Sequence, residues 1–568
     1  MKIFKNTMIG LVTGALLLIG SCTNLDEHLW NDIPESAIDP SDPAVVNAFM
    51  GKVLNAMGSF YWGYEHYWDI EETTDLYTVP RRLGVGWGGG YVTTHKHLWS
   101  VNIGPSTRTY DQCMIGIQYA CKCLDLLPEN MVKERARMRF FRAFYYYIIL
   151  DLFRNPPFME TMEFEEGWMP SQIGAEALFN FIVSEIVAVK EDLGTQKNFG
   201  YPNRWVACMT LAKLYLNHNA WFRHYPEVTK DNSWYEKALA EVNDVINTGG
   251  YSLSPKYFDN VKAELKANPE IIFGIALDRV QDSYYGNYLV NKTHAVAGRD
   301  VYGYTGNSPW NGSHAVPQFI MSYDPADNRL RDSWIGGIAR YYTVDGGINS
   351  GAPIPFTADD WSGTGYLNYN IEVHSSDNPG AYQQEGYRFS KLEVLPGLVG
   401  CYGNDVPFFR LGDAMFIKAE CLLRLGRDKQ EAADLITAVR MRLFDDPAMA
   451  VRTVEDLEGP SVYPYGYREC TSIGYDVWDD WIDIPEGGDD IILGGLLDDL
   501  AWEFLGEHHR RQDLIRFTMT NGISVFSGKS WFCKKAHPTE QWREYFGFSE
   551  GWLRANLNLV QNPGYLGI

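Results

Sequence analysis

The stretch FRLGDAMFIKAECLLRLG, residues 409–426, runs through Arg427-Asp428 into KQEAADLITAVRMRL, residues 429–443. In the first segment Leu411, Met415, Ala419 and Leu422 recur at three- and four-residue spacing and line one face of a helix. Gly426 caps it. So short a break between two amphipathic helices joins an antiparallel hairpin. The same pattern continues toward the N-terminus. RWVACMTLAKLYLNHNAW (204–221) is followed by WYEKALAEVNDVINTGGY (234–251), whose Ala238, Val242 and Val245 face inward and whose Gly249-Gly250 end the helix. In ERARMRFFRAFYYYIILDLFRNPP (134–157), Ala136, Phe140, Ala143, Tyr147 and Leu150 share a face, and Asn155-Pro156-Pro157 stop the helix. The spacing predicts a mainly α fold on a helical-repeat scaffold of tetratricopeptide type, without the strict repeat of about 34 residues.

Between about 252 and 404 the helical pattern stops. DVYGYTGNSPWNGSH (300–314) and YTVDGGINSGAPIPFTADDWSGTGYLNYN (342–370) are rich in Gly, Asn, Ser, Tyr and Trp. This is a loop-rich insertion with short strands, hung on helices. Loops carried by a rigid scaffold are where binding residues concentrate.

At the N-terminus Lys2 and Lys5 precede an apolar run from Met8 to Ile19. The run is shorter than the roughly 20 residues a membrane span needs. It leads through Gly20-Ser21 into Cys22, which resembles a bacterial lipoprotein box; that likeness implies a lipid-modified Cys22 as the first mature residue. A doubly acylated cysteine is a stable anchor, because each buried methylene contributes about 0.8 kcal/mol and one chain alone is marginal. The expected organisation is a signal peptide over 1–21, a polar tether over 22–42 and one domain over 43–568. Its scaffold covers about 43–251 and 405–530, and its ligand region about 252–404.

The whole chain of 568 residues carries a net charge of −23, which argues against a nucleic-acid partner. Nine scattered cysteines form no CxxC pair and read mostly as small core residues on helices, with room for one or two disulfides. His95, His97, His508 and His509 have no partner motif for a metal, and no GxSxG elbow appears. DVWDDWIDIPEGGDD (476–490) gathers seven acids without EF-hand spacing and reads as a solvated acidic loop. No metal and no cofactor are expected.

Several motifs in order are similar to those of the SusD/RagB family of outer-membrane lipoproteins. Arg410, Asp413, Ala419 and Glu420 fit one family helix. Glu503, Glu507, Arg510, Asp513 and Leu514 in EFLGEHHRRQDL fit a second, which departs at Phe504 and His508, where the family prefers Leu and Gly. YDPADNRL (323–330) matches the family's Asp-x-Arg turn. RFFRAFYYYIILDLFRNPPF (139–158) and the C-terminal ANLNLVQNPGY (555–565) also resemble family segments. The spacing of Glu503, Glu507, Arg510 and Asp513 predicts one helical face, with Arg510 pairing to Glu507 and Asp513 as scaffold electrostatics. The resemblance implies a protein that is no enzyme, sits anchored on the outer membrane, captures an oligosaccharide and delivers it to a TonB-dependent, SusC-like transporter. Two alternatives stand beside it: a transporter lid with little ligand affinity, and a peptide binder of the same family.

Sugar rings pack their C–H faces on flat aromatics, and their hydroxyls need amides and charges nearby. With 18 Trp and 35 Tyr, many of them in Gly-rich segments, the chain has such parts. PRRLGVGWGGGYVTTHKHLWSVN (80–102) offers Trp87, Tyr91 and Trp99, with Arg81, Arg82 and Asn102. The 300–314 segment offers Tyr302, Tyr304 and Trp310. Trp87 and Trp310 have the most loop-like flanks.

Overall fold

The structure, a computed structural model, describes residues 42–565 apart from 62–66, 83–86, 88, 102–106, 278–291, 304–308, 358–361, 378–380, 396–402 and 473–476. The chain divides into residues 1–47, of which 43–47 begin the helix Pro43–Gly58, and residues 48–568. The signal peptide, Cys22 and all of the tether but Asp42 lie outside the described residues. The second unit carries both the helical scaffold and the loop-rich region.

Its helices form an array in which each packs on the next. The order is α1 (Thr107–Leu126), α2 (Val132–Phe153), α3 (Ala175–Val189), α4 (Arg204–Trp221) and α5 (Ser233–Thr248). The chain then leaves the array and returns at α6 (Leu411–Leu425), which packs on α5 and on α7 (Lys429–Arg440). Strands β1 (Ile271–Ile275) and β2 (Val406–Arg410) bracket the excursion and pair antiparallel, Ile271 opposite Arg410 and Ile275 opposite Val406. The ends of the loop-rich region are thereby held together, and Phe273 and Phe408 pack their rings on Phe144 of α2 at 5.7 and 5.2 Å.

The structure corrects three expectations. Phe409 and Arg410 belong to a strand, and Arg410 is the extended residue before α6, not part of the helix. Helix α2 is buried all round from Phe140 to Phe153, so only its first turns are amphipathic; neighbours pack on every side of it. The Glu503–Asp513 segment is not one helix. It is α8 (Gly494–Glu503), a turn with Gly506 at φ +73° and His508 at φ +63°, then α9 (Arg510–Arg516). The left-handed backbone at 508 gives a physical reason for a glycine there. For histidine that conformation costs about 1–2 kcal/mol, and the ring is packed 4.3 Å from Tyr67.

Arg410, Glu503, Glu507 and the Asp327–Arg329 turn, read separately in the sequence, meet in one buried cluster. Arg410 donates to Glu270 and Glu503, both at 2.8 Å, and to Glu507 at 2.7 Å. Arg442 also bridges Glu270 and Glu503, at 2.5 and 2.9 Å. Arg329 reaches Asp327 at 2.6 Å and Glu503 at 3.3 Å, and Lys391 reaches Glu507 at 2.5 Å. Burial alone would raise the carboxyl of Glu503; Arg410, Arg442 and Arg329 reverse that and hold it at about 2. Arg510, expected to pair along its own helix, instead clamps Asp75 through two bonds of 2.7 Å. Asp513 pairs with Arg516, which also holds Glu420.

Gly426 ends α6 at φ +67° with open space where a Cβ would stand. Gly426→Ala is expected to lower the unfolding free energy by about 1 kcal/mol through backbone strain alone, read as a small drop in urea midpoint at unchanged slope.

Candidate ligand-binding surface

Three loop segments far apart in sequence are brought side by side by short strands. Tyr77–Thr78 pairs with His314–Ala315, Arg82 bridges to Ala381, and Trp334–Ile335 pairs with Arg388–Phe389. Short strands leave many loop carbonyls without ladder partners, and buried ones must be met some other way. Two buried arginines meet them. Arg82 donates to the carbonyls of Gly312, Tyr382 and Glu385 at 3.1, 2.6 and 3.3 Å. Arg388 donates to those of Thr293, Ser313 and Gln383 at 3.0, 3.3 and 2.5 Å. Burial lowers the affinity of both guanidiniums for their proton, Arg388 to about 10.

On this base sit Trp87, Tyr91 and Trp310. Trp87 is 7 % exposed, and its indole N–H donates to the carbonyl of Trp310 at 2.6 Å. Its ring lies against the backbone of Gly312, where a Cβ would stand 3.0 Å from the indole. Tyr91 packs edge-on to Trp87 at 5.3 Å and carries the Lys292 ammonium 4.7 Å from its ring centre. Lys292 is itself buried against Asp69 and Glu72. Trp310 is half-buried and Tyr91 likewise. Arg81 is exposed; its side chain is 65 % accessible and stands 3.9 Å from Asp377, itself 49 % accessible, a loose pair worth little in water.

The other expected residues lie differently. Tyr302 is 1 % exposed, with its hydroxyl 2.6 Å from His294 Nε2. Trp99 is 3 % exposed; it donates to the Tyr565 hydroxyl at 2.7 Å and packs 5.1 Å from Phe546, among the C-terminal residues and not beside Trp87. Asn102 and Tyr304 lie outside the described residues. The seven described free cysteines are all buried, two of them, Cys470 and Cys533, away from helices. Among the described residues no cluster of His, Cys, Asp and Glu could hold a metal ion, and no helix is long and apolar enough to cross a membrane.

Sequence reasoning missed two features. The arginine hubs are one: Arg82, expected beside a ligand, is buried as a brace, and its partners lie 230 and more positions away where no local signal shows them. The segment read as an acidic loop contains a strand, Trp481–Pro485, paired with Gly466–Cys470, and two half-buried indoles, Trp478 and Trp481. The alternation Ile482-Asp483-Ile484 after an aromatic residue was the available signal. Elsewhere a cleft of about 590 Å³ is lined by Phe158, Glu160, Thr161, Phe164 and Trp168, among others, the last two rings stacked at 4.8 Å.

A helical array whose one long excursion is closed by paired strands and carries aromatic side chains on arginine-braced loops defines a scaffold for binding. The sequence model of the SusD family matches residues 269–565, and the chain belongs to that family. The starch-binding protein SusD of Bacteroides thetaiotaomicron is 25 % identical over 462 residues, covering 76 % of this chain and 73 % of that one. The fold is that of surface glycan-binding protein A from Bacteroides uniformis, with TM-score 0.64 at 17 % identity, covering 92 % of this chain and 99 % of that one. It also matches surface glycan-binding protein A from Bacteroides thetaiotaomicron in complex with laminarihexaose, with TM-score 0.61 at 14 % identity over 91 % and 99 %.

Proposed function

We propose that this protein is a lipid-anchored cell-surface lipoprotein that binds a glycan, without catalysing its cleavage, and passes it to a partner TonB-dependent transporter of the outer membrane. The observation that carries the reading is the placement of Trp310. Its ring is half-buried while its carbonyl is fixed by the buried Trp87, beside Tyr91 and on the same braced loops as the exposed Arg81. A partly open flat ring on an anchored backbone, and a cation able to turn toward hydroxyls, are the parts a sugar needs. Trp87 acts from beneath, as a positioning residue. Relatives named for starch binding and for glycan binding support the ligand class. The run Ile19-Gly20-Ser21-Cys22 supports the anchor.

The lid reading keeps one observation in its favour: Trp87, Trp99 and Tyr302 are buried, as loop plugs would be. The two readings separate in affinity electrophoresis of the full chain through gels containing starch, laminarin, xylan, alginate or polygalacturonate. Glycan capture predicts strong retardation by at least one polysaccharide, lost in Trp310→Ala. Free migration in every gel supports the lid.

A further inference from the structure

We infer that Trp478 and Trp481 form a second sugar-stacking subsite, one that extends the Trp310 surface and selects neutral over anionic glycans; the inference rests on the glycan-binding reading above. The two indoles are half-buried and their planes are nearly parallel, 22° apart with ring centres at 6.1 Å. Two adjacent flat rings, each partly open to solvent, offer apolar faces of the kind that sugar C–H groups pack on.

The mounting is rigid. Trp478 stacks on the imidazole of His374 at 3.4 Å. That imidazole is fixed at both nitrogens, Nδ1 3.1 Å from Glu385 and Nε2 3.1 Å from the carbonyl of Val477. The Trp481 indole N–H donates to the carbonyl of Trp478 at 2.8 Å, which locks the two residues to each other. Arg468 lies 4.6 Å from the Trp481 ring centre and is held by Glu372 at 2.9 Å. The turn between the indoles is ordered too, since the Ser472 hydroxyl accepts from the amides of Asp479 and Asp480. A surface built this way loses little side-chain freedom when a ligand arrives.

Continuity joins this platform to the first surface. His374, beneath Trp478, is three residues from Asp377, which faces Arg81. Three residues of extended chain span at most about 11 Å, so His374 and Asp377 lie within the length of a short oligosaccharide.

Charge sets the class. Asp479 and Asp480 are exposed between the indoles, and Asp483 and Glu372 both pair with Arg468 beside them. Two carboxylates on Arg468 and two exposed ones between the indoles make the rim net negative, and within a Debye length of about 8 Å it repels uronate or sulfate groups. Its carboxylates accept hydrogen bonds from neutral hydroxyls.

The test is calorimetric titration of the full chain with laminarin, starch and xylan as neutral polymers, their trisaccharides, and alginate and polygalacturonate as anionic ones. Trp481→Ala and Trp481→Leu are measured alongside, the second because it keeps apolar burial on the strand while removing the flat ring. The expected result is neutral binding in the wild type, weakened at least tenfold for the polymer in both variants, with trisaccharide affinity and melting temperature unchanged. Equal polymer affinity in wild type and variants would overturn the subsite while leaving glycan binding intact. Binding of the anionic polymers alone would overturn the neutral class. Wild-type protein that binds no polymer would overturn the glycan reading and this subsite with it.

Discussion

Replacing Arg410 by methionine is expected to abolish recovery of folded protein, or to lower stability by at least about 3–5 kcal/mol. Arg410 stands between Glu270, Glu503 and Glu507, all within 2.8 Å and none more than slightly exposed. In the cluster, Arg329, Lys391, Arg410 and Arg442 formally balance Glu270, Glu503, Glu507 and Asp327. Methionine fills most of the arginine's volume, so the loss is electrostatic: three buried carboxylates then share too few cations. Arg410 also ends β2 and precedes α6, so the junction where the chain re-enters the helical array is what fails. The gentler Glu503→Gln gives a pH signature. Glu503 and Glu270 are held at about 2 in the folded protein, below the ordinary carboxylate value. Their contribution is therefore full above about pH 4.5 and fades as pH falls through 2. The difference in urea midpoint between wild type and Glu503→Gln should be flat from pH 8 to pH 5 and shrink only below that.

Arg82→Ala is expected to loosen the loop region while leaving the helices in place. The buried guanidinium satisfies three carbonyls contributed by two distant segments. Each one left buried and unsatisfied costs about 1–3 kcal/mol, and Arg82 itself is only 2 % exposed. Hydrogen exchange should speed up in 309–315 and 381–389 while α2 and α4 stay protected and the helical circular dichroism is unchanged. Glycan affinity should fall with the loops, because Trp310 and its support Trp87 ride on them. Arg82→Lys should fail to rescue, since one ammonium cannot reproduce the planar reach of a guanidinium to three acceptors. Unchanged exchange in those segments would sink the hub account.

These two arginines mark where sequence reading succeeds and stops. Helix α4 falls on the residues read from spacing, and Gly426 and Gly249-Gly250 end their helices as expected, because caps and 3.6-residue periodicity are local signals. Helix α2 was misjudged because a helix buried on all sides has no polar face to reveal its neighbours. The break at His508 was missed because nothing in a histidine announces a positive φ. Trp87, Trp99, Tyr302 and Trp310 look alike in sequence, each a large ring in a loop. Whether a ring ends above or beneath the surface is decided by partners such as Tyr565 and His294, and for Trp99 that partner is 466 residues away.

Trp310→Ala offers the cleanest comparison, since alanine keeps the carbonyl that accepts from Trp87 and removes only the ring. The deciding measurement is calorimetric titration of full-chain wild type and Trp310→Ala with whichever polysaccharide retards the wild type in the gel panel. The account predicts saturable binding by the wild type and at least tenfold weaker binding by the variant, about 1.4 kcal/mol, at the same melting temperature. Equal affinity in both proteins would contradict it, as would the absence of binding to every glycan tested.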